Sequence, residues 1–401
     1  MTSTPRATRM RNQEWLYDRM IRFGGPDFYW PMTDETLCTV GMNGAGDIQS
    51  VRSSIKRCVD IPREMRRIGD KREGLAKKAE AEGHFVTARQ NYFIAAAYYT
   101  MAQGPIHEDG NALNLALSAK KNACYRKFIQ YAGHRVEQVE IPFGKTSLPG
   151  YLHFPPNASG KVPCVVFLGG MDNFKEMLVT NPSDKFLERG VAVLAFDGPG
   201  QNEARISRGI LCTERNFIDA GKSAMDFLLA RKDIDGERIG IAGISMGSFW
   251  LTQIVAHDHR YKAAAGFYIC HENGMNTIFN LAMPMFKDRY MWMAGYEDED
   301  QFDEFAQKLT LKGLGAKIRC PYLSVAGEDD DLSPIEWTYK LHDEIKAPNT
   351  LLVYQGERHG ITDNLDVRAV IADWMADRFE GKPLKTRRIT MECRTGQEVK
   401  T

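Results

Sequence analysis

The sequence predicts an α/β protein with a doubly wound, mostly parallel sheet and a helical N-terminal domain. Up to about residue 132, apolar residues recur at three- and four-residue steps, which is typical of amphipathic helices. After Gly133, short apolar runs alternate with helical patterns, which is typical of parallel strands covered on both faces. We therefore expect a helical domain over residues 1–135 and an α/β domain over residues 136–380.

The helical domain contains two helical patterns within residues 71–103, separated at Glu82, Gly83 and His84. The second pattern places its apolar side chains on one helical face. The pair is similar to a single tetratricopeptide repeat, and no second copy follows at a fixed period, so a repeat array is not expected. This part of the chain is interpreted as a helical packing domain.

The α/β domain begins with an antiparallel pair of strands, "VEQVEIPFG" and "LPGYLHF", and continues with buried parallel strands. Five apolar runs predict those strands, at residues 162–170, 191–200, 239–247, 320–330 and 350–360. Residues 271–317 are rich in methionine and aromatic residues and lack a strand pattern. We expect them to form a helical insertion over the carboxyl edge of the sheet, either as core or as the wall of a substrate pocket. Residues 381–401 are expected to form a polar C-terminal extension that could contact another protomer.

Charge balance and cysteine usage narrow the possible functions. The 401 residues carry 52 Lys and Arg against 52 Asp and Glu, which argues against nucleic acid or an acidic membrane as the main partner. The eight cysteines are scattered without a CxxC pair, as in reduced cytoplasmic proteins. No apolar run approaches the roughly 18 residues of a membrane-spanning helix, and no signal peptide is evident. We expect a soluble, cytoplasmic protein.

The stretch "IGIAGISMGSFW" places Ser245 between Gly243 and Gly247 in a GxSxG pattern. Such a pattern arises by chance, but this one closes a strand pattern and opens a helical pattern. A nucleophile elbow requires that strand–turn–helix context. The glycines allow a tight turn from which the serine hydroxyl projects, while the N–H of Met246 points at a developing oxyanion. Ser245 is therefore the predicted nucleophile.

A serine nucleophile needs a base, and the base needs an orienting carboxylate. Behind a nucleophile elbow the chain order is serine, acid, histidine, each at a strand end. His342 and His359 are the two histidines that follow the expected acid strand. His342 lies in a helical pattern and is interpreted as a surface residue. His359 follows the last strand in "YQGERHG" and is the predicted base.

Three consecutive aspartates, Asp329 to Asp331, follow the strand "SVAG". The strand-end pattern Gly-x-x-Asp, with a proline four residues later, selects Asp330 from Gly327 and Pro334. Asp329 is the alternative. We expect the other aspartates of this run to be solvated.

The second donor of an oxyanion hole comes from a loop after an earlier strand. "FLGGMDN" lies in that place, so the N–H of Met171, or alternatively that of Gly170, is expected to pair with the N–H of Met246. The stretch "FDGPGQNE" lacks both nucleotide-binding glycine patterns and is expected to shape a turn that borders the pocket. No HExxH or paired CxxC occurs, so no metal and no cofactor are expected.

Together with the helical N-terminal half, the elbow and the motifs "LGGMDNFKE", "FDGPGQNE", "GEDDDLSP" and "GERHG" resemble one branch of the α/β-hydrolases. That branch contains 2,6-dihydroxypseudooxynicotine hydrolase, the fungal polyketide-shortening hydrolases and the fermentation-respiration switch esterase group. The resemblance covers roughly residues 83–379. It implies an α/β-hydrolase fold, a helical N-terminal lid or cap domain, and a homodimer.

The first two members of this branch cleave a carbon–carbon bond next to a ketone. The resemblance therefore implies C–C bond hydrolysis in an aryl or polyketide-like substrate. It also implies a glutamate on the loop "YICHENGMN", where Glu272 is the nearest candidate and a helix-capping role is the alternative. His271 and Asp172 are further candidates for substrate binding.

Two other functions stay open. A carboxylesterase would use the same residues on a small or aromatic ester, since both reactions pass through a tetrahedral oxyanion. A catalytically silent, hydrolase-like binding protein would recruit a partner through its helical half. Neither the bond that is cleaved nor the order of attack, by Ser245 or directly by water, follows from the motifs.

Overall fold

The computed structural model describes residues 14–26, 41, 44–179, 184–361 and 366–399. Its helices are α1 (Glu14–Gly24), α2 (Ala45–Ser54), α3 (Asp60–Ala81), α4 (Phe85–Gln103), α5 (Ala112–Gln130), α6 (Lys175–Leu178), α7 (Asn202–Ile206), α8 (Asn216–Leu229), α9 (Met246–His257), α10 (Pro284–Ala294), α11 (Glu299–Ala306), α12 (Ile335–Glu344) and α13 (Val367–Phe379). Its strands are β1 (Val136–Phe143), β2 (Thr146–His153), β3 (Val162–Leu168), β4 (Ala192–Phe196), β5 (Ile234–Ser245), β6 (Ala264–Ile269), β7 (Tyr322–Gly327), β8 (Asn349–Gln355), β9 (Arg387–Glu392) and β10 (Gln397–Glu398).

The chain divides into two compact units. The helical unit comprises residues 1–132 together with residues 283–302, and the sheet unit comprises residues 133–282 together with 303–401. The helical unit is therefore discontinuous in sequence, because its last segment lies between β6 and β7. The Met- and aromatic-rich stretch over residues 271–317 forms helices and turns, and its central part belongs to the helical unit.

In the helical unit, the predicted break between two helices lies between α3 and α4. Gly83 has a φ of +77°, a conformation that a residue without Cβ adopts at little cost and that is common just past a helix end. The two helices approach closely where Gly69 faces Tyr99: a Cβ on Gly69 would lie 2.6 Å from the Tyr99 ring. The Tyr99 hydroxyl lies 2.7 Å from Asp70 Oδ1 and 2.6 Å from Glu73 Oε2, so its single proton always has a carboxylate acceptor and this buried polar group is satisfied.

The sheet unit contains one ten-stranded sheet in the order β1-β2-β4-β3-β5-β6-β7-β8-β9-β10. The strands from β4 across to β9 pair in parallel, and antiparallel pairs flank them at both edges. After β3 the chain adds β4 on one side and then returns to place β5 on the other. This reversal is a topological switch point, where open α/β sheets bind ligands beyond the carboxyl ends of the strands.

Three strands lie outside the predicted runs. The β6 segment "AAGFYI" is buried like its neighbours and contains little β-branched sequence beyond one isoleucine, so its pattern was weak. The tail expected as a polar extension instead contributes β9 and β10, and β9 pairs in parallel with β8. In β9 only Ile389 is buried among arginines and other half-exposed or exposed residues, so this edge strand has the composition of a polar segment.

Buried apolar side chains of the central strands and of α13 form the main core of the sheet unit. The seven cysteines in the described part of the chain are all free thiols. Among the helices of the described residues, none combines the length and apolar character needed to cross a bilayer.

Candidate active site

Ser245 lies where β5 passes directly into α9, with φ of +55° and ψ of −124°. This backbone conformation is unusual for a residue that carries a Cβ, and it turns the side chain out of the strand. The flanking glycines are required by close backbone contacts. A Cβ on Gly243 would lie 2.4 Å from the carbonyl oxygen of Gly247, and a Cβ on Gly247 would lie 2.5 Å from that of Leu168.

The side chains of Ser245, His359 and Asp330 form one hydrogen-bonded row. Ser245 Oγ lies 3.0 Å from Nε2 of His359, and Nδ1 of the same ring lies 2.8 Å from Oδ2 of Asp330. Ser245 ends β5, His359 follows β8 and Asp330 follows β7, so the sheet brings together positions 114 and 29 residues apart in sequence. In this arrangement the imidazole can accept the serine proton while the carboxylate orients the ring.

Of the three consecutive aspartates, Asp330 is buried and Asp329 and Asp331 are exposed. The second oxygen of Asp330 accepts hydrogen bonds from the backbone N–H groups of Leu332 and Ser333, at 2.8 and 2.9 Å. These bonds compensate the carboxylate for the loss of water and fix its orientation.

Two opposing effects act on the pKa of His359. Burial lowers the pKa of the imidazole, whereas the charge and the hydrogen bond of Asp330 raise it, with smaller contributions from Asp331 and Asp172. The net result is a pKa above the ordinary value of 6.5. The ring is thus a stronger base than a buried histidine without its carboxylate would be.

The loop after β3 brings Gly170 beside Ser245, since a Cβ on Gly170 would lie 3.1 Å from Ser245 Cβ. The N–H of Gly170 donates to Oδ1 of Asn173 at 2.8 Å. The Gly170 N–H, which is the alternative oxyanion donor, is therefore hydrogen-bonded to a side chain of its own loop. Met171, the first predicted donor on this loop, follows Gly170 directly, and Met246 is the first residue of α9 after Ser245.

The other expected substrate-binding residues differ in their surroundings. Glu272 is buried, and its Oε2 accepts the N–H of Thr277 at 2.8 Å, at the start of a π-helical turn. Burial raises the pKa of Glu272. Asp172 is half-buried and contributes to the raised pKa of His359, so it lies within electrostatic reach of the base.

His271 is packed into the interior of the sheet unit. Its Nδ1 lies 3.2 Å from the Thr338 hydroxyl and its Nε2 lies 3.4 Å from the Tyr322 hydroxyl. Burial and the nearby His342 hold the pKa of His271 well below its usual value. Both ring nitrogens of His271 thus face protein groups, and its part in substrate binding stays a prediction.

His342, interpreted from the sequence as a surface residue, is buried. Its ring nitrogens contact Asn349 Oδ1 at 2.9 Å and Ser324 Oγ at 2.8 Å. The surface interpretation was wrong because α12 turns its histidine toward β7 and β8, where two short polar side chains satisfy both nitrogens.

Sequence reasoning missed two neighbours of Ser245, the predicted nucleophile. Cys270 Sγ lies 3.7 Å from Ser245 Oγ, and burial raises the pKa of this thiol, so it stays protonated. Ser248 donates to the carbonyl oxygen of Ser245 at 2.7 Å and accepts the N–H of Cys270 at 2.9 Å, which ties the elbow to the end of β6. The feature of the sequence that could have pointed to the Ser248 contact is a serine three residues after Ser245.

Six non-glycine residues of the described chain have positive φ, and Ser245, Tyr268 and Ile361 are among them. Ile361 follows His359 by two residues, and the Tyr268 ring packs beside the His359 ring at 6.3 Å between centroids. Backbone strain of this kind persists where surrounding structure holds it, and it clusters at functional sites.

A protein-family model described as "Esterase FrsA-like" matches residues 74–343 of the chain. The chain belongs to this family. The match includes the elbow at Ser245 and the buried aspartate Asp330, and it ends before His359.

Relatives include fungal and bacterial hydrolases. "Alpha/beta hydrolase psoB" of Aspergillus fumigatus is 34% identical over 220 residues, which cover 50% of this chain and 48% of that protein. "2,6-dihydropseudooxynicotine hydrolase" of Paenarthrobacter nicotinovorans is 24% identical over 310 residues, covering 76% of this chain and 81% of that protein. The alignment with "Hydrolase phmG" of Phaeosphaeria nodorum covers 55% of that protein, so the chain spans about half the length of these fungal relatives.

A solved structure with the same fold is the crystal structure of the 2,6-dihydroxy-pseudo-oxynicotine hydrolase. It superimposes with a TM-score of 0.76 at 21% identity and covers 88% of this chain and 98% of that chain. The structure of AbyA5 superimposes with a TM-score of 0.68 at 14% identity, over 88% of this chain and 94% of that chain. The predicted fold class, an α/β-hydrolase fold, is confirmed.

Proposed function

We propose that the chain is a serine hydrolase that uses Ser245 as nucleophile, His359 as base and Asp330 as the orienting acid. The observation that carries the proposal is the hydrogen-bonded row from Ser245 Oγ through the imidazole to the Asp330 carboxylate. The position of that row at the topological switch point of the sheet supports the same assignment.

The reaction begins with attack of Ser245 Oγ on a carbonyl carbon while His359 Nε2 takes the hydroxyl proton. The oxyanion of the tetrahedral intermediate accepts hydrogen bonds from the N–H groups of Met246 and Met171. The protonated imidazole then gives its proton to the leaving group, and water hydrolyses the acyl-enzyme. Direct attack by water is the variant of this mechanism. Detection of an acyl group on Ser245 by mass spectrometry during turnover would support the covalent route.

We propose that the substrate is a ketone, in an aryl or polyketide-like molecule. The bond that is cleaved is a C–C bond next to the ketone carbonyl. The likeness to a hydrolase named for 2,6-dihydropseudooxynicotine supports this class. A departing carbon must be protonated or delocalised into a ring, which an ester oxygen does not require. The family description as an esterase supports a second candidate, hydrolysis of a small or aromatic ester.

The Ser245→Ala variant tests the assignment of the nucleophile. Loss of the hydroxyl should abolish labelling by a fluorophosphonate and reduce turnover by about 10³-fold or more. Labelling is measured by intact-protein mass spectrometry, with Ser53→Ala as the control, since Ser53 is an exposed serine of α2 and this variant retains Ser245. Labelling of the Ser245→Ala protein would overturn the assignment of Ser245, and no labelling of the natural protein would favour a catalytically silent binding protein.

Two substrates separate the two hydrolytic reactions. Release of a carboxylic acid from a 1,3-diketone or an acyl-phenol measures C–C cleavage, and release of p-nitrophenol from its acetate measures esterolysis. Rapid esterolysis without ketone cleavage would overturn the first choice. The expected roles of residues 1–135 as a lid, of a homodimer and of a cytoplasmic location stay predictions.

A further inference from the structure

The loop after β4 holds the loop that carries the predicted oxyanion donor. We call residues 169–174 the oxyanion loop and residues 197–203 the bracket loop. The bracket loop is the motif "FDGPGQNE" without its first residue, and the proposed mechanism gives it no role. Two of its side chains, those of Gln201 and Asn202, donate hydrogen bonds to backbone carbonyls of the oxyanion loop.

Gln201 makes the most direct of these contacts. Its Nε2 donates to the carbonyl oxygen of Gly170 at 2.6 Å and lies 3.4 Å from that of Gly169. Its Oε1 accepts the N–H of Gly198 at 2.8 Å, which fixes the amide orientation within its own loop. The side chain is buried, with the residue only 2% exposed, so water does not replace these bonds.

The carbonyl of Gly170 and the N–H of Met171 belong to the same peptide group. That group is planar and trans, so its C=O and N–H point in opposite directions. A donor that holds the Gly170 oxygen from one side therefore sets the direction of the Met171 N–H on the other. We propose that Gln201 is a positioning residue that aims the Met171 N–H at the oxyanion. This inference rests on the proposed function.

Further bonds of the bracket loop keep Gln201 in place. Asn202 donates to the carbonyl oxygen of Asn173 at 2.6 Å, and its φ of +30° is a strained conformation for a residue with a side chain. Asp197 accepts the backbone N–H of Lys175 at 3.1 Å, just past the oxyanion loop. The buried ammonium of Lys175 also lies 3.0 Å from Asp197 and 2.7 Å from Glu203. Several hydrogen bonds thus join the two loops. Among them, the bond from Gln201 is made to the peptide group that carries the Met171 N–H.

The Gln201→Glu variant tests the inference because it preserves length and shape. The glutamate can still accept the Gly198 N–H, but as a carboxylate it has no donor for the Gly170 carbonyl. We expect kcat for p-nitrophenyl acetate to fall by about 10- to 100-fold, with KM changed by no more than about twofold. This loss does not exceed the loss of kcat that is expected when an oxyanion donor is removed outright. Affinity for an aryl trifluoromethyl ketone, which forms a tetrahedral adduct, should fall by the same factor as kcat.

Gln253→Glu is the matched control. Gln253 lies on α9, about two turns past Ser245, and is also buried. Its Nε2 donates to a backbone carbonyl, that of Glu214, at 3.1 Å. The same change there should leave kcat and inhibitor affinity within about twofold. Equal losses in both variants, or a loss of substrate affinity without a loss of inhibitor affinity, would overturn the positioning role.

The experiment separates this inference from the function on which it rests. If fluorophosphonate does not label Ser245 in the natural protein, the proposed function and the inference both fail. If it labels the natural protein and the Gln201→Glu variant at equal rates, only the inference fails. Should the glutamate variant not fold, Gln201→Met removes the donor without adding charge and is expected to show the same losses.

Discussion

At the residue scale, the pKa of His359 links the geometry to a measurable pH dependence. The base must be neutral to accept the Ser245 proton, so kcat/KM should fall as pH drops through the raised imidazole pKa. Burial alone would lower that pKa, and Asp330 is the first group that raises it. The acid limb of the natural protein is therefore expected above pH 6.5, the ordinary value for histidine.

Replacing Asp330 by Asn should separate the two effects. Without the carboxylate charge, burial dominates, so the imidazole pKa falls and the acid limb of kcat/KM moves to lower pH. The maximal kcat should fall by about 10³- to 10⁴-fold because the ring loses its orienting acceptor. A pH–rate profile measures both changes. Asp331→Asn is the control, since this neighbouring carboxylate is exposed and should change kcat little; an unmoved acid limb in Asp330→Asn would contradict the assignment.

Glu272 offers a second test at this scale. Burial raises its pKa, so more of this carboxyl is protonated near neutral pH than of an exposed glutamate. If that proton assists a carbon leaving group, Glu272→Gln should slow ketone cleavage by about 10- to 100-fold and leave esterolysis within about twofold, because p-nitrophenolate departs without a proton. Equal losses on both substrates would indicate only the capping bond to Thr277.

The sequence allowed the prediction of Ser245, His359 and Asp330 but not of the contact made by Gln201. Ser245, His359 and Asp330 each follow an apolar run, so chain order and strand ends were enough to nominate them. The contact between Gln201 and the Gly170 carbonyl depends on how two loops fold back on each other, and no local pattern encodes that distance. The bond from the Gly170 N–H to Asn173 Oδ1 is a second contact of this kind, and the choice between Met171 and Gly170 as oxyanion donor stays a prediction.

At the element scale, the spacing between the elbow and the end of β3 is set by glycine. The backbone of Gly247 packs on the carbonyl oxygens of Leu168 and Gly169, at 2.5 and 2.9 Å from where a Cβ would lie. These are backbone atoms, so no side-chain rotation relieves the overlap. The elbow helix and the oxyanion loop can be this close only without a Cβ at this position.

Gly247→Ala should therefore push these two elements apart. We expect the free energy of unfolding to fall by about 1–3 kcal/mol, as for overpacked cores, and kcat to fall because the oxyanion donors separate. Thermal unfolding and esterase assays measure the two effects. Gly74→Ala is the control, since nothing lies within 4 Å of the Cβ position at this helical glycine. A Gly247→Ala protein as active and stable as the natural one would contradict this packing argument.

The sequence predicted elements well where they are buried on both faces and poorly at the edges. The central strands have near-continuous apolar runs, and their prediction as a parallel sheet is confirmed. The tail after α13 forms β9 with a single buried side chain, Ile389. A strand of this kind has no hydrophobic periodicity from which it could be predicted. It is a strand because it forms hydrogen bonds with β8, not because it buries an apolar face.

At the scale of the whole molecule, the helical unit draws on two distant parts of the chain. His107 Nδ1 lies 2.6 Å from Asp288 Oδ2, and the Trp292 indole donates to Asp109 at 3.0 Å. Both bonds join the loop between α4 and α5 to α10. The first 132 residues alone lack these partners.

A fragment of residues 1–132 should consequently be less stable than the same helices in the whole chain. We expect a lower and broader thermal unfolding transition by circular dichroism, because the buried His107 ring loses its hydrogen-bond partner. A peptide of residues 283–302 added in trans should raise the transition temperature. The same peptide with Asp288→Asn and Trp292→Phe is the control, and an equal effect of both peptides would contradict the role of these bonds.

The discontinuity of the helical unit also sets the order in which the protein can be completed during synthesis. Domains generally fold from the N-terminus as they leave the ribosome. Here the helical unit is complete only after residue 302 has emerged, when β1 to β6 are already available. The strands β7 and β8, which precede Asp330 and His359, emerge later still. The nascent chain thus acquires Ser245, the proposed nucleophile, well before the groups proposed to activate it.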